Sequence, residues 1–234
     1  MIFSISASIA GLAMPARLYD PLVAAACEVK NGRMLSPGVA DALKRDASLE
    51  VTLSEDKSIL ADGLGGYDVV VLGTGFTTLQ RQPDGTSRRV PDLTPEQQQG
   101  LLAFVWGGGG FVGVHGTGWW IGGEAMKLVG GHANWHPAGL EFTVAIADRE
   151  HPVTRDLDDF TVTDEIYMSA WDPAIHVLAT ATWAERKHPM AWTHKYGDGR
   201  VFYTTLGHGP STFQTPAVQQ LLSSGTRWVA EGRG

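Results

Sequence analysis

The sequence predicts an α/β protein built on a mainly parallel sheet, with helices on both sides and antiparallel strands added at one edge. Three observations carry that expectation. Residues 68–72 (DVVVL) contain an unbroken apolar run after Asp68, the mark of a strand covered on both faces in a parallel sheet. Up to Val114, strand-like and helix-like stretches alternate, and a βαβ rhythm implies right-handed crossovers. Beyond residue 140, short strand-like runs succeed one another across turns, the pattern of antiparallel neighbours.

In chain order, residues 2–9 (IFSISASI) alternate apolar and small polar side chains and read as a strand. Pro15 and Pro21 punctuate the next stretch, and residues 22–29 read as a short helix. Ser36-Pro37 ahead of GVADALKRD supplies the cap and first-turn proline of a helix, and residues 49–53 form a strand. Residues 76–92 contain RQPDGTSRRVPD, with a Pro-Asp-Gly turn, and read as a solvated surface loop, the alternative being a mobile lid. Thr94-Pro95-Glu96-Gln97 opens a helix, with Thr94 as cap, proline at the first position and Gln97 completing a capping box. That helix turns Leu101, Leu102, Phe104 and Val105 inward and ends at the glycines before the strand 111–114. Residues 140–147, 160–163, 177–182, 190–195 and 200–206 are the later strands, with Gly197-Asp198-Gly199 as one of their turns. A last helix, 215–230, has Pro216 at its start and offers Val218, Leu221, Leu222 and Trp228 for packing. Repeats and linkers are absent, so residues 1–234 read as one domain.

Composition narrows the function classes. In 234 residues, 43% are apolar, enough for one sizeable core. Lys and Arg number 18 against 25 Asp and Glu, a formal charge of −7, and no cationic cluster is larger than a pair such as Arg88-Arg89; nucleic acid, which needs a concentrated positive face, is therefore not an expected partner. The single Cys27 cannot close an internal disulfide. Residues 1–14 are apolar and Ala-rich, yet the first cation is Arg17, which suits part of the fold better than a cleaved leader. No run reaches the ~18 apolar residues of a membrane span. A cytoplasmic location is the resulting expectation, with no membrane partner.

The stretch 107–118, GGGGFVGVHGTG, places a glycine turn, a short apolar strand and an abrupt second turn carrying His115 in succession. A polar side chain is thereby set at a strand's carboxyl end, where open α/β sheets bind ligands. A histidine in such a turn can also serve only to hydrogen-bond a neighbouring carbonyl.

Five ordered motifs add to this reading: GGGGFVGVHGTGWW, LVGGHANWHP (128–137), HPVT (151–154), DEIY (164–167) and GDGRVFYTTLGHG (197–209). Together they resemble the ThuA-like family of trehalose-utilisation proteins, over about residues 65–230. The first 60 or so residues depart from the family pattern, being more apolar. The resemblance implies a flavodoxin-like three-layer fold related to class I glutamine amidotransferases, and a role in breaking down disaccharides first oxidised to a keto form. Where an amidotransferase would hold its nucleophilic cysteine, this chain has His115, and Cys27 lies elsewhere; glutaminase chemistry is disfavoured.

The resemblance also implies that His115, His136, Glu165 and His208 share one face. Three imidazoles and a carboxylate suit a divalent metal such as zinc, and equally suit metal-free acid–base catalysis near neutral pH. Asp164 and Glu165 are adjacent, so on a strand they point to opposite faces; Glu165 is assigned to the site, where Tyr167 shares its face, and Asp164 to the surface or to loop capping. Trp119, Trp135 and Trp171, with Tyr167, are the candidate sugar-binding side chains, because aromatic faces match the C–H faces of sugar rings. The i, i+4 spacing of His132 and His136 carries no weight, since Gly130, Gly131 and Pro137 oppose a helix; His151 reads as a turn-ordering residue and His188 as structural.

The function expected is thus carbohydrate catabolism on a 3-keto disaccharide or glycoside: elimination, hydrolysis or isomerisation by His and Glu, with or without metal. The alternative is a non-catalytic sugar-binding or interaction module. A nucleotide or flavin is not expected, because the first strand lacks a phosphate-cradling loop. The expected partner is a small-molecule sugar, and homo-oligomers are compatible with the sequence.

Overall fold

The computed structural model describes residues 21–24, 29–30, 33–34, 36–73 and 75–233. The expected strand at 2–9 and Cys27 lie outside the described residues. In chain order the first strands are β1 (Pro21–Ala24), β2 (Val29–Lys30), β3 (Arg33–Met34), β4 (Thr52–Ser54), β5 (Val69–Leu72), β6 (Thr77–Arg81), β7 (Ser87–Pro91) and β8 (Gly110–Val114). Then come β9 (Gly131–Trp135), β10 (Leu140–Ile146), β11 (Phe160–Asp164), β12 (Met168–Trp171), β13 (His176–Trp183), β14 (Arg186–Tyr196) and β15 (Gly199–Thr204). The helices are α1 (Ser36–Leu43), α2 (Ile59–Asp62), α3 (Pro95–Trp106), α4 (Thr117–Trp120) and α5 (Pro216–Ala230).

Nine strands form one mixed sheet in the order β11-β10-β13-β14-β15-β8-β5-β1-β4. The strands from β15 to β4 run parallel, and β14, β13, β10 and β11 continue the sheet antiparallel. The apolar run predicted to be doubly covered is so: all four β5 residues are buried, with Val69 and Val71 in one core and Val70 and Leu72 in the other. The first core is closed by α1 and α5 through Leu43, Leu221 and Leu222, the second by α2 and α3 through Leu60 and Leu101. Helices therefore flank the sheet on both faces. The capping box of α3 is present: Thr94 Oγ1 accepts from Gln97 N at 3.3 Å, and Gln97 Oε1 accepts from Thr94 N at 2.9 Å.

Two elements differ from expectation. The helix expected at 22–29 is in part a strand, β1, which pairs in parallel with β4 on one side and β5 on the other. A short apolar run does not reveal its period, and two flanking ladders override the helix preference of its alanines. Residues 76–92 are not an irregular loop but a hairpin, with Thr77 opposite Pro91 and Arg81 opposite Ser87. Its tip is fixed by Gly85 at φ 83° and by Asp84, whose Oδ1 accepts from Thr86 N at 2.9 Å. The polar composition hid the hairpin because both its faces are largely exposed.

Candidate functional site at the carboxyl rim

β8 ends at Val114, and the chain turns at once: His115 has φ 47°, an uncommon backbone for a residue with a side chain. Neighbouring groups hold it there. His115 N donates to Thr204 O at 2.8 Å, and Tyr203 Oη donates to His115 O at 2.7 Å. Thr117 Oγ1 ties the start of α4 back to the sheet, donating to Leu72 O at 2.9 Å. Gly118 is required by the same packing, since a Cβ there would stand 2.3 Å from Tyr203 Oη.

The ring of His115 is fixed at both nitrogens. Nδ1 lies 2.7 Å from Thr205 O, a pure acceptor, so Nδ1 carries the hydrogen and Nε2 keeps its lone pair in the neutral ring. Tyr167 Oη approaches Nε2 at 2.7 Å, and Glu165 Oε2 stands 3.5 Å from it. Burial drives the His115 pKa below its ordinary value, outweighing the upward pull of Asp164, the Thr205 carbonyl and Glu165.

Glu165 comes directly after β11 and is buried at 5% exposure. Its Oε1 lies 2.9 Å from His208 Nδ1 and 3.5 Å from His136 Nδ1. Burial pushes its pKa up, but the hydrogen bond from His208 and the charges of His115, His208 and His136 more than cancel this and hold it low. His136 donates from Nδ1 to Pro137 O at 2.8 Å, leaving Nε2 as an acceptor. Asp164, assigned from the sequence to the surface or to capping, is a buried loop clamp. Its Oδ2 accepts from Gly207 N at 2.8 Å, and its Oδ1 from His208 N at 3.1 Å and Glu165 N at 2.8 Å. One carboxylate thus fixes the two loops that carry Glu165 and His208.

The structure brings His115, His136, Glu165, Tyr167 and His208 together. Trp119 joins them, its ring 5.6 Å from His136 and 5.5 Å from Tyr167. Trp135 lies at the rim end of the β9–β12 ribbon, opposite Met168 and directly before His136, with its side chain 55% exposed, whereas Trp171 lies at the ribbon's far end, 41% exposed, and lines a separate cavity. His151 orders its own turn, accepting from Val153 N at 3.2 Å. His132 lies on strand β9, not on a helix, and His188 on β14 opposite Ala181. Sequence reasoning missed Tyr203 and the Thr205 carbonyl; the available signal was their place at the carboxyl end of β15, beside β8 in the parallel half.

Ligand atoms of His115, Glu165 and His208 all lie within 4.8 Å of one another. Two imidazoles and a carboxylate, with His115 Nδ1 anchored on a carbonyl so that Nε2 faces the cluster, fit a divalent cation with an open position. His136 falls outside that trio.

Fold and site define a mixed α/β protein carrying a buried imidazole–carboxylate cluster where β8, β11 and β15 end. The chain belongs to the ThuA family, described as trehalose utilisation, whose model matches residues 28–229. The match begins well ahead of residue 65, where the motif resemblance started. A search of curated proteins finds no match. Among solved structures, a protein of Parabacteroides merdae described as ThuA-like is similar, with TM-score 0.77 and 20% identity over 93% of this chain and 91% of that one. A second, from Bacteroides uniformis, gives TM-score 0.72 and 18% identity over 95% of each chain. A cytoplasmic protein of Salmonella typhimurium gives TM-score 0.61 and 14% identity over 90% of this chain and 99% of that one. At these identities the likeness is one of fold. Among the described residues, no helix is long and apolar enough to cross a membrane.

Proposed function

We propose that this chain is an enzyme of sugar breakdown acting on a 3-keto disaccharide or glycoside. The carrying observation is the His115 ring: neutral by burial, oriented by Thr205, and presenting Nε2 to a phenol and a carboxylate. A ketone at C3 acidifies the proton on C2. His115 Nε2 takes that proton, and the C–H electron pair becomes the C2–C3 double bond of an enolate. Tyr167, whose hydroxyl hydrogen faces Nε2 in the resting ring, gives up that contact as Nε2 takes the C2 proton and turns its hydrogen to the developing oxyanion. The enolate re-forms the ketone as the C1–O bond breaks, and His208, held by Glu165, protonates the departing alcohol. Water then adds across the C1–C2 double bond, giving net hydrolysis; in the isomerising branch a proton returns to C2 of the enolate from the other face before the C1–O bond breaks. Trp119 offers the apolar platform for a sugar ring.

A divalent cation such as zinc on His115, Glu165 and His208 would supply Lewis-acid polarisation of the ketone oxygen. His115 would then be a ligand, and His136, with Nε2 unprotonated, is the imidazole left to take the C2 proton. The family description supports the link to disaccharides. The helices on both faces of the parallel half support a flavodoxin-like three-layer arrangement, and the Salmonella relative's description supports a cytoplasmic setting. The test is incubation of purified protein, with and without added zinc, with 3-keto-trehalose and with trehalose. Turnover of the keto-sugar alone is expected, and no turnover of either sinks the reading.

A further inference from the structure

A second cavity, of about 820 Å³, lies at the opposite end of the sheet from His115. β14 runs antiparallel to β15, with Ala191 beside Thr204 at the carboxyl rim and Tyr196 beside Gly199 at the far end. The far end of β14 forms one wall of the cavity, and the end of the β9–β12 ribbon forms another. The ribbon has His136 and Tyr167 beside its rim end and Gly131 opposite Trp171 at its other end, a run of ~13 Å. None of His115, His136, Glu165 and His208 lines the cavity.

The cavity floor is tightly fitted. Gly130 has φ 69°, and a Cβ there would come within 2.9 Å of the His194 ring and 3.0 Å of Ile175. His194 Nε2 is 3.0 Å from Leu128 O, and Trp192 Nε1 donates to Val129 O at 2.8 Å. A pocket braced in this way exists before any ligand arrives, and its volume falls in the ~300–1,000 Å³ range of small-molecule sites.

The lining selects the ligand chemistry. Trp171 stands 41% exposed, and Tyr196 extends the aromatic surface towards Trp106, whose ring meets it edge-on at 5.6 Å. Met126 and Ile175 add apolar surface. Around these lie Asp172, Lys195, His132 and Lys127, the last paired with Glu124. Asp172 spends Oδ1 on Ala174 N at 2.8 Å, which leaves Oδ2 to accept from a ligand. A wholly apolar ligand would strip water from this polar rim without replacing it, and a highly charged anion would meet Asp172 with only Lys195 to offset it, Lys127 being paired with Glu124. A pyranose satisfies both sets, its C–H face against indole and its equatorial hydroxyls against carboxylate, ammonium and imidazole.

We propose that this cavity is a second saccharide site, binding one or two pyranose rings against Trp171, separate from the imidazole–carboxylate cluster. It stands whether or not the chain turns over keto-sugars. The test titrates trehalose and maltose, up to saturation, into wild type and variants by calorimetry. Trp171→Ala should weaken binding of at least one sugar about tenfold or more. Ala174→Trp, which fills the cavity from an exposed position, should abolish that binding. A His115→Gln, Glu165→Gln double variant should keep it. Far-UV circular dichroism and light scattering accompany each titration. No binding by wild type, or binding unchanged in both cavity variants, overturns the proposal. So does a fall in oligomer mass in Trp171→Ala, which would make the face a contact between copies of this chain.

Discussion

Tyr203 gives its hydroxyl hydrogen to the carbonyl oxygen of His115 across 2.7 Å, and both residues are almost wholly buried. The bond pins a left-handed residue from the neighbouring strand, so the direction of the His115 ring depends on β15 as much as on β8. Burial pushes the Tyr203 pKa up, so the phenol stays a donor throughout the working pH range.

Tyr203→Phe leaves the His115 carbonyl without its phenolic donor. The expected loss is about 1–3 kcal/mol of stability, read by urea denaturation, with a fall in kcat on whichever substrate is turned over. A variant as stable and active as wild type would show that the strand turn holds itself.

Gly118→Ala tests the same packing from the other side. The new methyl would meet Tyr203 Oη, a buried atom with nowhere to go, so destabilisation of about 1–3 kcal/mol is expected. Combined with Tyr203→Phe, the cost should be less than the sum, because the phenylalanine removes the clashing oxygen. Additive losses in a double-mutant cycle would contradict this.

Asp164→Asn replaces one acceptor oxygen with a donor facing backbone N–H groups. Gly207, His208 and Glu165 all rely on that carboxylate, and the expected cost is about 2–3 kcal/mol. Activity should fall further than stability alone explains, because Glu165 and His208 lose their shared clamp. Thermal melts beside kcat and KM separate the two effects.

Stability of chelator-treated protein should fall on acidification in two stages. Burial lowers the His115 pKa, so below about pH 6.5 the unfolded chain binds a proton that the folded one refuses, and stability drops. The Glu165 pKa is also lowered, so its contribution is complete above its unfolded value near 4.5 and disappears as pH falls through the folded value. Urea denaturation from pH 8 to pH 2.5 should show the upper stage flattened in His115→Gln and the lower one in Glu165→Gln.

Much of the frame was readable from local pattern. The DVVVL run, the Thr94–Gln97 box and the proline-started α5 each announce themselves within a few residues, because burial on both faces and cap chemistry are local demands. β1 was not readable, since its partners β4 and β5 come 30 and 48 residues later and a four-residue apolar strand has no visible period. Of the cluster, His115 was visible through the glycines around it. Tyr203 and the Thr205 carbonyl were not, because their part is played through strand neighbourhood and a backbone atom, neither of which leaves a trace in residue type.

β11 is an outer strand of the sheet and β8 is five places further in, which in a flat sheet would separate them by roughly 24 Å. Yet Glu165, one residue past β11, lies 3.5 Å from His115, one residue past β8. The antiparallel strands must therefore roll over until their free border meets the middle, with Asp164 as the latch. A molecule gripped between Glu165 and His115 would tighten that roll, and its arrival should slow amide exchange in β10 and β11, strands that never touch it.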